Sequence, residues 1–263
     1  AVALGVSHTI RPSSSEPNPS ANASNSPTAP PGSANTSSDS TPTPTPPKPT
    51  SPALKQPLAG QTIVVDPGHQ LGNSRHTREI NKQVDAGGGL RKACNTTGTA
   101  TNDGYPESTF AFGVASELAS QLEDLGARVL LTRDTNSVDR WGPCINERAA
   151  LGNKEKAALK ISIHGDGAAA GSHGFHIIVS TQNQAWHQQS RDAATTARYA
   201  LETEGFARST YIGGGTALSL RKDIGTLNLS NMPSIMVELG NMRNTHDASV
   251  MTSAKGQQRH ATA

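Results

Sequence analysis

The arrangement of apolar and polar positions predicts alternating strands and helices over the second part of the chain. Apolar residues recur at helical spacing over 107–125, and Gly126 then provides a stop signal. Strands that alternate with helices are typical of a mostly parallel sheet. We therefore predict a single α/β domain, with a mostly parallel twisted sheet flanked by helices. The predicted strands are 61–66, 128–133, 159–164, 174–180 and 234–238, and the other predicted helices are 145–157, 188–205 and 248–260.

Two long segments, 70–104 and 207–230, lack such a pattern and are rich in glycine. Loops of this length in a compact domain are usually functional or disordered. The sequence therefore assigns no regular structure to either segment.

The first 59 residues have a different composition from the rest. They contain 13 of the 17 prolines and no aromatic residue, so they cannot bury enough apolar surface to offset chain entropy. We expect 1–59 to be a disordered Pro/Ser/Thr-rich tail or spacer, and 60–263 to be the folded domain. The apolar residues 1–6 are consistent with the remnant of a signal peptide or anchor. An arbitrary start of the chain explains them equally well.

Charge and sulfur content narrow the class of protein. The formal net charge is +2 and no Lys/Arg run occurs, which argues against a nucleic-acid partner. The sequence also lacks an apolar run of about 18 residues, so nothing in it predicts a membrane span. The two cysteines, Cys94 and Cys144, are most simply one disulfide in an exported chain, and two buried thiols in a cytosolic one. The spacer-like tail favours export.

Four residues have the chemistry of a hydrolytic metal site. His69, His164 and Glu238 lie at the carboxyl ends of predicted strands, and Glu107 opens the first long helix. In open α/β sheets, ligands bind at the rim formed by the carboxyl ends of the strands. Two histidines and one glutamate leave an open position on zinc, and a second carboxylate can take a proton from bound water. Each residue alone also fits an ordinary structural role, and no local metal signature such as HExxH occurs.

Four motifs, occurring in the same order, resemble the zinc-dependent N-acetylmuramoyl-L-alanine amidases of the Amidase_3 type. They are VVDPGH at 64–69, Glu107 at a helix start, SIHGD at 162–166 and SIMVELGNMRN at 234–244. The resemblance spans roughly 61–260. The stretch NTTGTATNDGYPEST at 95–109, together with the two cysteines, is further similar to the small mycobacterial and actinobacterial cell-wall amidases.

The resemblance implies a peptidoglycan hydrolase that cuts the amide between N-acetylmuramic acid and L-alanine of the stem peptide. It implies one Zn²⁺ ion on His69, Glu107 and His164, with Glu238 as the catalytic carboxylate. We expect a monomer that acts on peptidoglycan or muropeptides outside the cell or in the cell wall. A zinc peptidase that cuts another amide of the stem peptide remains an alternative. The second alternative is a non-catalytic wall-binding module. The presence of all four residues argues against it, because binding alone does not require them.

Further expectations concern the surroundings of the site. We expect Asp66 and Asp166 either to orient an imidazole or to cap turns, and Cys94 and Cys144 to be bonded. Arg221 and Asn228 are candidates for contact with the stem peptide, whereas His173 and His176 are interpreted as surface or hydrogen-bonded residues and not as ligands. Family members usually continue their last helix with apolar residues. We therefore expect the helix 248–260, with Asp247 as its N-cap, to be truncated.

Overall fold

The computed structural model describes residues 56–263, so residues 1–55 of the predicted tail lie outside the described residues. Residues 57–60 form a turn in which the Leu58 N–H donates to the Leu125 carbonyl at 3.0 Å. Leu58 also packs against the main core. In residues 56–263, none of the helices is long and apolar enough to cross a membrane.

A six-stranded sheet forms the centre of the domain, and the apolar pattern predicts five of its six strands. Its strands are β1 (Thr62–Pro67), β4 (Arg128–Leu131), β5 (Leu159–Asp166), β6 (His176–Ser180), β7 (Leu218–Arg221) and β8 (Ser234–Asn241), in the order β4-β1-β5-β8-β6-β7. All neighbouring pairs are parallel except β6 and β8, which are antiparallel. The predicted α/β fold with a mostly parallel sheet is therefore confirmed. The short strands β2 (Gln83–Asp85) and β3 (Arg91–Ala93) form a separate hairpin.

Helices cover both faces of the sheet. They are α1 (Thr77–Ile80), α2 (Glu107–Asp124), α3 (Ile145–Glu155), α4 (His187–Thr203), α5 (Gly225–Asn228), α6 (Thr245–Met251) and α7 (Ala254–Thr262). Residues on β8 alternate between two cores: Ile235 and Val237 pack in the larger one, and Met236 packs with Leu227 of α5 in the smaller one. Burial on both faces explains why the central strands are continuous apolar runs.

Several element boundaries differ from the sequence prediction. β5 and β8 continue past His164 and Glu238, so both residues lie within strands instead of ending them. β4 ends two residues early at Leu131, and β6 begins only at His176. The two segments assigned no regular structure contain α1, the β2–β3 hairpin, β7 and α5. These elements have three or four residues each, too few for a periodic pattern.

The predicted helix 248–260 is in fact two helices, α6 and α7. The side chain of Asn244, and not that of Asp247, caps the first by accepting from the N–H of His246 and of Asp247. The Ser253 side chain caps the second. The Asp247 carboxylate instead accepts from the N–H of Gly174 at 2.8 Å and from that of Asn241 at 2.9 Å. Asp247 therefore joins α6 to the end of β8.

A buried histidine ties α7 to the main core. The His260 ring stacks on Phe206, with ring centroids 4.1 Å apart, and meets Phe110 edge to face. Burial lowers the pKa of His260 from the usual 6.5 to about 4, because the apolar surroundings disfavour the imidazolium. The folded protein therefore holds this ring neutral at pH 7.

We expect this histidine to weaken the fold on acidification. Between pH 6.5 and 4 the unfolded chain binds a proton at this position and the folded chain does not, so stability falls as pH falls. The loss is about 3 kcal/mol at most over that window. His260→Phe should reduce the slope of unfolding free energy against pH, measured by urea denaturation. His246→Gln, at an exposed position on α6, is the control. Equal slopes in the His260 variant and the parent would contradict the expectation.

Candidate active site

The four residues singled out in the sequence lie together on one rim of the sheet. His69 follows β1, His164 lies in β5 and Glu238 lies in β8, and these three strands are adjacent and parallel. His164 and Glu238 are direct neighbours in the register of β5 and β8. Glu107 opens α2, which packs across β1 and β5. The sheet order therefore brings together residues that are far apart in sequence.

Three of these side chains converge on one point. The Glu107 Oε1 atom lies 3.0 Å from Nε2 of His69 and 2.8 Å from Nδ1 of His164. One donor atom from each residue falls within 4.8 Å of the others. Their side chains are only 10%, 5% and 15% exposed for His69, Glu107 and His164. Such a compact set of two imidazoles and one carboxylate is able to bind a cation.

Backbone groups hold Glu107 in this position. Its Oε2 atom accepts from the N–H of Thr99 at 2.9 Å, and its Oε1 atom accepts from the N–H of Gly165 at 3.2 Å. Gly98 has a φ of +77°, and a Cβ there would lie 2.7 Å from the Glu107 carboxylate and 2.8 Å from the His69 ring. A side chain at Gly98 is therefore excluded by both its backbone conformation and this contact.

His69 has a left-handed backbone conformation, with a φ of +57°, which is uncommon for a residue other than glycine. Two buried arginines hold the carbonyl groups of this turn. Arg148 donates to the carbonyls of Pro67 and His69 at 2.7 and 2.8 Å, and Arg133 donates to those of Pro67 and Gly68 at 3.1 and 3.0 Å. These contacts compensate for the strained backbone and fix the direction of the imidazole.

Asp66 contacts neither imidazole and accepts from side chains instead of capping a turn, so neither of the two roles expected for it is found. Its carboxylate accepts from Arg148 at 2.6 Å and from Ser162 at 2.7 Å, and it lies 3.4 Å from the Lys160 ammonium. Burial alone would raise the pKa of Asp66, but Lys160 and Arg148 outweigh it and keep that pKa well below its usual range. Asp66 therefore stays ionised and anchors the arginine that holds the His69 turn.

Asp166 also lies away from the imidazoles. Its carboxylate accepts from the N–H of Gly167 at 2.7 Å and from the Tyr211 hydroxyl at 3.1 Å. The first contact is a local turn contact, which is the alternative that the sequence left open for this residue. The second joins the end of β5 to the segment that precedes β7.

Glu107 and Glu238 have opposite electrostatic environments. Burial tends to raise the pKa of Glu107, but the two imidazoles outweigh it and leave this pKa well below its usual range. The pKa of Glu238 is well above its usual range, first because the carboxyl is buried, and then because the carboxylates of Glu107 and Asp166 are near. The Oε2 atom of Glu238 is buried and has no hydrogen-bond partner within residues 56–263. It is therefore a polar atom at this rim that a ligand would satisfy.

The cluster opens into a cavity of about 820 Å³ that also contains Glu238 in its wall. This volume is suited to a small molecule or a short peptide segment. One wall carries Lys92, whose ammonium donates to the Asp223 carbonyl at 2.8 Å and lies 3.3 Å from its carboxylate. The contact joins the β2–β3 hairpin to the segment between β7 and α5. Arg243 lies at another part of the wall.

Two residues expected to touch substrate lie outside the cavity wall. Arg221 pairs with the Asp223 carboxylate at 2.7 and 2.8 Å. Asn228 donates to the Ala86 carbonyl at 2.8 Å and to that of Lys222 at 3.0 Å. Both therefore support the segment that carries the wall, and neither lines the cavity.

Neither His173 nor His176 is part of the cluster of His69, Glu107 and His164. The His173 carbonyl accepts from the N–H of Thr210. His176, however, is neither a surface residue nor fully hydrogen-bonded, because it is buried and its Nδ1 atom has no partner in the described part of the chain. Burial lowers its pKa from 6.5 to about 4. His176 is buried, contrary to the expectation, because it lies at the start of β6, directly opposite Glu238 of the neighbouring strand β8.

Cys94 and Cys144 form the expected disulfide bond. It joins the end of the hairpin to the start of α3. Asn95, next to it, donates to the Pro143 carbonyl at 2.8 Å. The sequence pattern does not reveal that Asn95, Arg133 and Arg148 lie beside the site. Their contacts are largely to backbone carbonyls, and no sequence motif reports such contacts.

The comparisons with known proteins agree with this site. Residues 63–263 match the family Amidase_3, described as N-acetylmuramoyl-L-alanine amidase. The N-acetylmuramoyl-L-alanine amidase Rv3717 of Mycobacterium tuberculosis is 38% identical over 208 residues, covering 78% of this chain and 84% of that protein. The chain therefore belongs to the Amidase_3 family of N-acetylmuramoyl-L-alanine amidases.

Solved structures support the same assignment. The amidase Ami1 of Mycobacterium smegmatis is 37% identical with a TM-score of 0.73, and the match covers 78% of this chain and 93% of that one. The apo form of Ami1 from Mycobacterium abscessus is 40% identical with a TM-score of 0.73, covering 78% and 94%. AmiC2 of Nostoc punctiforme, at 18% identity and a TM-score of 0.56 over 78% and 92%, shares the fold.

Proposed function

We propose that the protein is a zinc-dependent peptidoglycan hydrolase that cleaves the amide between N-acetylmuramic acid and L-alanine of the stem peptide. The observation that carries the proposal is the convergence of His69, Glu107 and His164 beside Glu238 in one cavity. The family assignment supports the bond that is cut.

The three donor residues fit zinc. When the Nδ1–H of His69 donates to the Thr96 carbonyl, 3.0 Å away, the Nε2 lone pair of the ring faces the Glu107 carboxylate. A lone pair and an anionic oxygen 3.0 Å apart repel each other unless a cation or a proton lies between them. Two imidazoles with one carboxylate suit Zn²⁺, whereas Mg²⁺ and Ca²⁺ prefer a shell dominated by oxygen.

We propose that His69, Glu107 and His164 hold the metal and that Glu238 transfers protons. Bound zinc supplies a Lewis acid for the scissile carbonyl and lowers the pKa of a coordinated water toward ~7. Glu238 has a buried Oε2 atom that no group in residues 56–263 hydrogen-bonds, so this atom is available to take a proton from water and to return it to the leaving nitrogen. The raised pKa of Glu238 suits both halves of that transfer, although a nearby cation opposes the shift.

We further propose that the enzyme acts as a monomer outside the cytosol. One chain supplies the three proposed ligands, Glu238 and the cavity wall. The Cys94–Cys144 disulfide suits an oxidising compartment, where such bonds persist. Peptidoglycan is present there as the substrate.

We expect the hydrolysis to require zinc. Protein treated with a chelator should stop releasing stem peptides that begin with L-alanine, because the metal that polarises the carbonyl has been removed. Added Zn²⁺ should restore the release, and Mg²⁺ should not. Mass spectrometry of the digested muropeptides measures both the rate and the bond that is cut. Full activity of metal-free protein would rule out the metal, and cleavage at another amide would indicate a peptidase.

The two glutamates should respond differently to loss of charge. Glu238→Gln keeps the shape and removes the proton acceptor, so the rate should fall by ~10²–10⁴ while zinc content is unchanged. Glu107→Gln should weaken zinc binding first. Atomic absorption and initial rates separate the two effects. If Glu238→Gln lost zinc and Glu107→Gln kept it without activity, the roles would be exchanged, and a fully active Glu238→Gln would contradict the mechanism.

A further inference from the structure

The side-chain amide of Asn73 joins two segments beside the site. Asn73 lies in the short 3₁₀ turn Leu71–Arg75 just after His69 and has no exposed surface. Its Nδ2 atom donates to the Thr96 carbonyl at 2.7 Å, and its Oδ1 atom accepts from the Gly142 N–H at 2.9 Å. Because both ends of the amide are used in a buried place, its orientation is fixed.

The Thr96 carbonyl that Asn73 holds is also the partner of the His69 ring. The Nδ1 atom of His69 lies 3.0 Å from this oxygen. A carbonyl oxygen has two lone pairs, so Asn73 and His69 together use its full capacity. Thr96 itself is exposed, so a carbonyl that Asn73 did not hold could turn toward solvent. Asn73 therefore keeps the acceptor directed at the ring.

The neighbouring residues fix the same segment at its other end. The Thr96 N–H donates to the Asn95 side chain at 2.8 Å, and Asn95 donates to the Pro143 carbonyl. Cys94 is bonded to Cys144 directly beside these contacts. The disulfide and Asn95 thus place the start of the segment, and Asn73 adds the contact that places the Thr96 carbonyl.

Thr96 offers the His69 ring two hydrogen bonds that favour opposite tautomers. If the ring Nδ1–H donates to the Thr96 carbonyl, Nε2 presents a lone pair toward Glu107. If the Thr96 hydroxyl, 3.2 Å away, donates to Nδ1, then Nε2–H donates to Glu107 at 3.0 Å. Only the first tautomer offers Nε2 to a cation.

We infer that Asn73 is a positioning residue: by holding the Thr96 carbonyl, it favours the His69 tautomer whose Nε2 lone pair faces the metal position. The inference rests on the proposed function, since it takes His69 as a zinc ligand. It assigns Asn73 no contact with substrate.

The test compares three variants of the full chain. Asn73→Ala should raise the zinc dissociation constant by about 10-fold, the lower end of the loss usual for a group bonded directly to a ligand, because Asn73 acts on His69 through the Thr96 carbonyl. Competition with a chromogenic chelator measures it. Long-range ¹H–¹⁵N NMR of the metal-free protein should show the His69 ring shifted toward the Nε2–H tautomer. Thr96→Val removes only the hydroxyl, so it should shift the ring toward Nδ1–H and bind zinc at least as tightly as the parent.

Asn153→Ala is the matched control. Asn153 also uses both ends of its amide, donating to the Leu229 carbonyl at 2.8 Å and accepting from the Asn231 N–H at 2.6 Å. These contacts hold α3 to the segment before β8, and Asn153 lies outside the cavity wall. It should lower the melting temperature without changing the zinc dissociation constant or the His69 spectrum.

Different outcomes would contradict the role of Asn73, the tautomer argument or the proposed function. Equal zinc affinity in the Asn73 and Asn153 variants would overturn the role of Asn73. If Asn73→Ala does not fold, Thr96→Val decides, because tenfold weaker zinc binding by this variant contradicts the tautomer argument. A parent protein that binds no zinc would instead refute the proposed function itself.

Discussion

The ion pair between Asp66 and Arg148 connects the core of this domain to its site. The carboxylate lies at the end of β1 and is almost completely buried, and the guanidinium that it holds also binds the carbonyls of Pro67 and His69. Removal of one partner from a buried pair typically costs ~3–5 kcal/mol, because the other charge is left uncompensated. The strained backbone of His69 therefore depends on a charge that contacts neither imidazole.

Two carboxyl groups at this rim of the sheet have different surroundings. Glu107 faces two imidazoles and accepts from two backbone N–H groups, which favours its ionised form. Glu238 is buried near other carboxylates, which favours its protonated form. Two residues of the same type are thus suited to different tasks, one to hold a cation and the other to exchange protons.

Five strands of the central sheet were predicted because their apolar runs are local signals. The four residues that cluster at its rim were singled out by their places beside these runs or at a helix start, and by motifs that resemble those of a known family. β1, β5 and β8 are apolar runs, and His69, His164 and Glu238 stand near the points where these runs end. The β2–β3 hairpin, β7 and α5 show no such apolar pattern in the sequence. They are held in place by contacts between distant residues, such as that of Asn228 with Ala86. The residues that hold the His69 turn could not be predicted either. An arginine or asparagine that binds the carbonyl of a distant residue has no pattern in the sequence that distinguishes it from other polar residues.

The disulfide has a consequence for the chain before it folds. Cys94 and Cys144 are 50 residues apart and close a covalent ring that includes Glu107 but neither His69 nor His164. In the chain-entropy description, closing a ring of this size removes about 4 kcal/mol of conformational freedom from the unfolded state. An oxidised chain therefore begins folding with α2 and β4 already confined between the hairpin and α3. Part of the entropy cost of bringing Glu107 to the two histidines has then been met before the sheet forms.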